Sequence, residues 1–227
     1  GYDIANNSNN TTIVASGEGT NTLATSSTFG TTWTGLGTTV FSVKGNGLIH
    51  KNSLWVATGK GTNTLAYSSA SNATTWTGLG TSLFTTEGFG VAYNGVDTYI
   101  AVGKGLNTIL SSTNGTTWTS KAPAFETRAN CVSYGNSRFV AVGAGSHTVL
   151  YSIDNGTTWV GLGTSIFSTE GYGVAYGGTT WVAVGSGTNG IAYSTNDAVT
   201  WTGLATSIMT IGYNVKYINS YFFVLGN

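Results

Sequence analysis

An all-β fold, a β-propeller of four-stranded antiparallel blades, is predicted by three features of this 227-residue sequence. The first is a repeat: Trp33, Trp76, Trp118, Trp159 and Trp201 stand 43, 42, 41 and 42 residues apart by subtraction. A serine lies seven residues before each (Ser26, Ser69, Ser111, Ser152, Ser194), and a threonine immediately before it (Thr32, Thr75, Thr117, Thr158, Thr200). A fixed period of roughly 20–50 residues marks a repeat architecture. The second feature is four short apolar pieces in every period, rich in Val, Tyr, Trp and Thr and bounded by Gly, Asn, Ser or Thr. That is strand chemistry. The third is the 34 glycines, with no window carrying the three-and-four apolar spacing of an amphipathic helix. Four strands in about 42 residues is the arithmetic of a propeller blade, whereas a solenoid coil uses fewer strands and a shorter period.

With the strands of a blade lettered A to D from the axis outward, the first blade is expected at residues 3–6, 12–15, 22–25 and 32–36. Strand A then restarts near Leu48, Val91, Val132 and Val174, and the fifth copy reads 172–176, 180–184, 190–193 and 200–204. After Trp201 one further A and B follow, at 214–217 and 221–225. The chain is thus five complete repeats plus a terminal two-stranded half-repeat, with repeats at 1–44, 45–87, 88–128, 129–170, 171–210 and 211–227 in a single domain. A six-position ring is favoured because it buries the Tyr221-Phe222-Phe223-Val224 edge, which invites association when open. A five-bladed ring with an appended hairpin is one alternative and a piece of a longer array is another, and an open edge implies self-association through the half-blade. A chain opening on Gly1 suggests a processed or excised product, and the near identity of 75–82 with 159–165 suggests recent duplication or consensus-like design.

Composition narrows the partners. Eight basic and eight acidic residues cancel, so no global field draws the chain to nucleic acid or an anionic membrane. No apolar run approaches the roughly 18 residues of a membrane span, so no membrane insertion is expected. Cys131 stands alone, which excludes an intrachain disulfide and a cysteine-rich metal site. His50 and His147 fall in different repeats, so no metal is expected. Gly17-Glu18-Gly19 opens no helix and is no phosphate loop, and no cofactor is expected.

The stretch Ser152-x-Asp154-x-Gly156-x-Thr158-Trp159 resembles the Asp-box (BNR) repeat of sialidase-like and photosystem assembly-factor propellers. The resemblance covers five periods and is complete in the fourth. Elsewhere Thr28, Ser71, Thr113 and Asn196 stand at the Asp position, with Gly30, Ala73, Gly115 and Ala198 at the Gly position. It implies a folding role: a side-chain oxygen bonds turn amides, Gly supplies positive φ, and Trp packs between blades. A sialidase would need an arginine cluster, and Arg128 and Arg138 are the only arginines, so that activity is rejected. Glycoside hydrolysis needs paired carboxylates roughly 5–10 Å apart, for which Glu87 with Glu126 is the weak candidate, and the expectation is a non-enzyme.

Two sets of candidates lie in loops. The B-to-C loops repeat a Gly-x-Asn theme that ends on Asn21, Asn63, Asn107, His147 and Asn189. Amides there suit sugar hydroxyls, or else bond their own loop. In the D-to-A connections Lys44, Glu87, Arg128 and Glu170 alternate in sign, as a ring of inter-blade ion pairs or a charged rim around a mouth. The favoured function is a non-enzymatic recognition module, lectin-like or adhesive, binding glycans or a protein surface through these loops. An extracellular or virion-surface setting suits it. The alternative is a structural or assembly scaffold, a virion, fibre or complex component with no small-molecule ligand.

Overall fold

The computed structural model describes residues 1–121 and 125–227, and Pro123 lies outside the described residues. All regular structure among them is strand, and the chain falls into two compact units, Gly1–Ser120 and Lys121–Asn227.

The first unit holds three sheets. Blade one is β1 (Asp3–Asn6), β2 (Ile13–Ser16), β3 (Leu23–Ser26) and β4 (Thr34–Gly35). Blade two is β5 (Lys44–Lys51), β6 (Leu54–Lys60), β7 (Leu65–Ser68) and β8 (Thr77–Gly78). Blade three is β9 (Glu87–Tyr93), β10 (Tyr99–Lys104), β11 (Ile109–Ser112) and β12 (Thr119–Ser120). The second unit holds blade four, β13 (Arg128–Gly135), β14 (Arg138–Ala144), β15 (Val149–Ser152) and β16 (Val160–Gly161). Blade five is β17 (Glu170–Gly177), β18 (Thr180–Ser186), β19 (Ile191–Ser194) and β20 (Thr202–Gly203). The hairpin β21 (Gly212–Ile218) and β22 (Tyr221–Gly226) follows. Within each blade the strands pair with their chain neighbours in antiparallel fashion, as in β17–β18–β19–β20.

Two expectations about strand bounds shift. The A strands of blades two to five begin at Lys44, Glu87, Arg128 and Glu170, four residues before the apolar run. Each has a register break near its start, for example between Gly45 and Leu48 or Gly171 and Gly173. The bulge accommodates an extra residue, and the glycines beside it disguise the strand. The outer strands shorten to two residues, so each repeated Trp sits in the turn before its strand. The hairpin turns Asn52-Ser53, Asn136-Ser137 and Asn219-Ser220 hold both residues at positive φ (51° and 57° at the first), the pattern of a type I′ turn.

Strand alternation gives each blade two apolar faces. In blade five, Trp181 and Ala183 form the back face and pack on Val140 and Val142 of blade four. Val182 and Val184 point the other way, the front face, and are buried by Val215, Phe222 and Val224 of the hairpin. The first unit repeats this: Val14 meets Trp55 and Ala57, and Val56 meets Tyr99 and Ala101. Trp55, Tyr99 and Trp181 are no more than 1% exposed, so the largest side chains fill these joints. Burying each such ring stabilises by about 1.5–3 kcal/mol relative to exposure. The front face of the hairpin itself is open, with Tyr221, Phe223 and Leu225 at 71%, 57% and 66% exposure.

Candidate functional site

The repeated loops carry the candidate binding residues. Asn63 Oδ1 accepts from the Gly80 amide at 2.8 Å, and its Nδ2 donates to the Val40 carbonyl at 2.6 Å. Asn189 does the same with Ala205 N (2.9 Å) and Ile166 O (2.6 Å). Asn107 donates to Leu83 O at 2.7 Å, and Asn21 accepts from Gly37 N at 2.8 Å. His147, in the same position, accepts from Gly163 N through Nδ1 at 2.8 Å. Asn21, Asn63, His147 and Asn189 therefore tie a B-to-C loop to the turn after the outer strand of the same blade, and Asn63, Asn107 and Asn189 tie the loop entering the blade.

The approach is close enough to dictate a second residue. A Cβ on Gly35, Gly78 or Gly203 would lie 2.1–2.2 Å from the Oδ1 of Asn21, Asn63 or Asn189. On Gly161 it would lie 2.4 Å from the His147 ring. The outer strand carries Gly there because an amide or imidazole already fills the space.

The charged residues are not a loose rim. Lys44, Glu87, Arg128 and Glu170 open β5, β9, β13 and β17, and the two carboxylates are buried (6% and 5% exposed). Lys44 Nζ reaches Glu87 Oε1 at 2.7 Å, with Lys60 Nζ at 3.8 Å from Oε2. Arg128 grips Glu170 with two N–H groups, Nε on Oε1 and Nη2 on Oε2, the latter at 2.6 Å. Asn46 and Asn130 complete the two sites, donating to Glu87 Oε1 (2.9 Å) and Glu170 Oε1 (2.6 Å) and also to Gly88 O and Gly171 O. Burial acts to raise the Glu170 pKa, but the bonds from Arg128 and Asn130 outweigh it and hold the carboxyl below its ordinary value. Sequence reading missed both asparagines. Their signal was a two-repeat alternation: Asn follows the cations by two residues, where Phe89 and Tyr172 follow the glutamates.

The Ser-to-Trp turns have one geometry with a shifted register. Ser152 Oγ accepts from Gly156 N (2.9 Å), Asp154 Oδ1 from Thr158 N (2.8 Å), and Trp159 Nε1 donates to Gly156 O (3.2 Å). Burial acts to raise the Asp154 pKa, yet bonds from Thr158 and Ser152 leave it lowered. Asn196 and Thr28 play the Asp154 part in blades five and one. In blades two and three the working serines are Ser68 and Ser112, the last residues of β7 and β11, rather than Ser69 and Ser111. Asn72 and Asn114 take the Asp part there, in place of Ser71 and Thr113. The strand end fixes the serine, and the turn absorbs a residue more or less before the tryptophan. Gly30, Ala73, Gly115, Gly156 and Ala198 all hold positive φ (52–82°), so the Gly position is kept in every copy.

Trp76, Trp118 and Trp201 pack against the joint with the preceding blade, and Trp159 is 7% exposed. Trp33, on the back face of blade one, is 42% exposed. Among the described residues no group of three His, Cys, Asp or Glu is placed to hold a metal.

No family model matches the chain, and no curated protein matches it in sequence. Among solved structures, YCF48 from Cyanidioschyzon merolae is similar at a TM-score of 0.55 and 16% identity, over 78% of this chain and 60% of that one. The GH74 enzyme of Niastella koreensis is similar at a TM-score of 0.59 and 21% identity, over 88% of this chain and 30% of that one. The chain therefore spans 60% and 30% of the lengths of these two structures. At such identities the likeness speaks to fold alone, and the fold is an all-β propeller of four-stranded antiparallel blades.

Proposed function

We propose that this chain is a non-catalytic propeller scaffold whose polar loops brace the blades and leave protein surface for a partner. The supporting observation is that Asn21, Asn63, Asn107, His147 and Asn189 all bond backbone in their own or an adjoining loop. A ligand would have to displace those bonds, and at Asn189, the buried member of the set, orphaning the partners costs about 1–3 kcal/mol. The Ser-to-Trp turns support an Asp-box reading, since side-chain oxygens and a left-handed residue shape each of them. Glu87, the carboxylate considered for glycoside hydrolysis, is held by Lys44 and Asn46, which suits a structural ion pair better than a general acid.

A second, lectin-like reading rests on a different observation. A groove of about 180 Å³ beside blades one and two is bordered by hydroxyls and an amide, among them Thr25, Ser27, Thr34, Asn72 and Thr74. Such a lining suits sugar hydroxyls. A glycan array followed by calorimetry at millimolar oligosaccharide separates the two readings. The scaffold reading expects no saturable binding and a stable protein partner. Saturable sugar binding, lost in Thr34→Val or Thr74→Val at unchanged Tm, would replace it with the lectin-like reading. Glycosidase turnover lost in Glu87→Gln would overturn the non-catalytic part.

A further inference from the structure

Three positions of the repeat hold Ser or Thr in four copies of five, and their three exceptions converge. The residue after the turn serine is Ser27, Ser69, Thr113 and Thr195, but Ile153 in blade four. The first residue of the outer strand is Thr34, Thr77, Thr119 and Thr202, but Val160 in blade four. The residue two before the tryptophan is Thr31, Thr74, Thr116 and Thr157, but Val199 in blade five. At the joint of blades one and two the same three positions, Ser27 and Thr34 from one blade and Thr74 from the next, line one groove. Their aliphatic counterparts therefore share the outer end of the joint between blades four and five, where Ile153, Val160 and Val199 are 65%, 47% and 41% exposed. Tyr151 adjoins them. It pairs directly with Val160, packs on the core that holds Ala198, and carries Arg138 Cζ 5.3 Å from its ring centroid. A tyrosine and an arginine beside aliphatic side chains are the composition of an interface core.

We infer that this patch on the rim of blades four and five docks a partner protein, through an extended segment that sets an aliphatic side chain beside a lysine or arginine. The border of the patch supplies the selecting charge. Asp154 follows Ile153 and Asp197 stands two before Val199, two carboxylates against the one guanidinium of Arg138. Both acids are held in place, Asp154 by the Thr158 amide and Asp197 by Asn136 Nδ2. Among the described residues β16 ends its sheet, so a segment can lie along it as an added strand. A second copy of this chain fits less well. A two-fold contact would set Asp154 and Asp197 against their own equivalents, and three aliphatic side chains fall far short of the roughly 800 Å² per partner of a stable dimer. The inference rests on the scaffold reading for the existence of a protein partner, and adds where that partner binds and what it carries.

Fluorescence anisotropy with defined peptides tests it. The probe is a short, end-capped, labelled peptide alternating lysine with valine, compared with one of lysine and serine and one of glutamate and valine. Wild-type protein is expected to bind the lysine–valine peptide saturably between micromolar and millimolar concentration, and the other two about tenfold or more weakly. The triple variant Ile153→Thr, Val160→Thr, Val199→Thr gives the patch the residue types of the other repeats, so circular dichroism should show it folded. Its affinity for the lysine–valine peptide should fall about tenfold or more. Asp197→Asn keeps an acceptor for Asn136 and should weaken the same peptide with a shallower salt dependence. Equal affinity of wild type and triple variant, equal affinity for the lysine–valine and glutamate–valine peptides, or no binding at millimolar peptide overturns the inference. Wild type that self-associates in sedimentation velocity, with the triple variant monomeric, assigns the patch to a second copy and also overturns it. None of these results touches the scaffold reading, which is decided by sugar binding and glycosidase turnover.

Discussion

At the scale of single residues, the loop asparagines do the work of backbone. Asn189 is 9% exposed and makes one bond as acceptor and one as donor, so Asn189→Ala leaves Ala205 N and Ile166 O without it. The expected loss is about 1–3 kcal/mol, read from urea unfolding of the variant against wild type. His50 carries a pH effect. Its Nδ1 is buried with no hydrogen-bond partner among the described residues, and its ring lies 4.5 Å from that of Trp55. Burial, with Lys51 the lesser cause, lowers its pKa below the ordinary 6.5. A folded-state pKa below the unfolded one means that the unfolded chain binds the proton more readily. The stability from neutral His50 is therefore complete above pH 6.5 and declines as pH falls through the lowered value. In His50→Gln this decline should vanish, leaving the acid-side loss from Glu170 and Asp154, whose lowered pKa values place it below about pH 4. Melting temperatures from pH 7 to 3 check both.

At the scale of elements, the repeat was legible and its details were not. Trp and Thr at fixed spacing announced the turns, and alternating Val, Ala and aromatic residues announced the B strands. The starts of the A strands were hidden, because the bulge places glycine where a strand former would be expected, as at Gly45 and Gly47 around Asn46. The serine of the turn was misplaced in two copies, since counting back from Trp assumes a constant turn length. Blade two has one residue more than blade four and blade three one fewer. This gives a discriminating pair: Ser68→Ala should cost about 1 kcal/mol, while exposed Ser69→Ala should stay within about 0.5 kcal/mol. Thermal unfolding of the two variants side by side settles the register. At Gly115 (φ +73°) an added Cβ would lie 2.4 Å from Leu54 Cδ2, so Gly115→Ala combines left-handed strain with a clash, although Ala73 and Ala198 hold the same backbone elsewhere. A loss of about 1–3 kcal/mol is expected in urea titration.

At the scale of the whole molecule, joints between blades combine apolar faces with buried ion pairs. Lys44–Glu87 joins blades two and three, and Arg128–Glu170 joins blades four and five. The alternation of sign was visible in the sequence, but burial and the supporting asparagines depend on neighbouring sheets and could not be. Glu170→Gln removes the charge that Arg128 grips, and a loss of about 2–3 kcal/mol is expected from the charged hydrogen bonds. The scaffold account holds that the loops are braced from within and are not waiting for a ligand. Amide hydrogen exchange tests it most directly, at Gly37, Gly80, Gly163 and Ala205, whose N–H groups the loop side chains accept. The account predicts slow exchange at all four in the free protein, and release of Gly80 in Asn63→Ala and of Ala205 in Asn189→Ala. Fast exchange at these amides in the free protein, slowed only when an added sugar or partner binds, would contradict it.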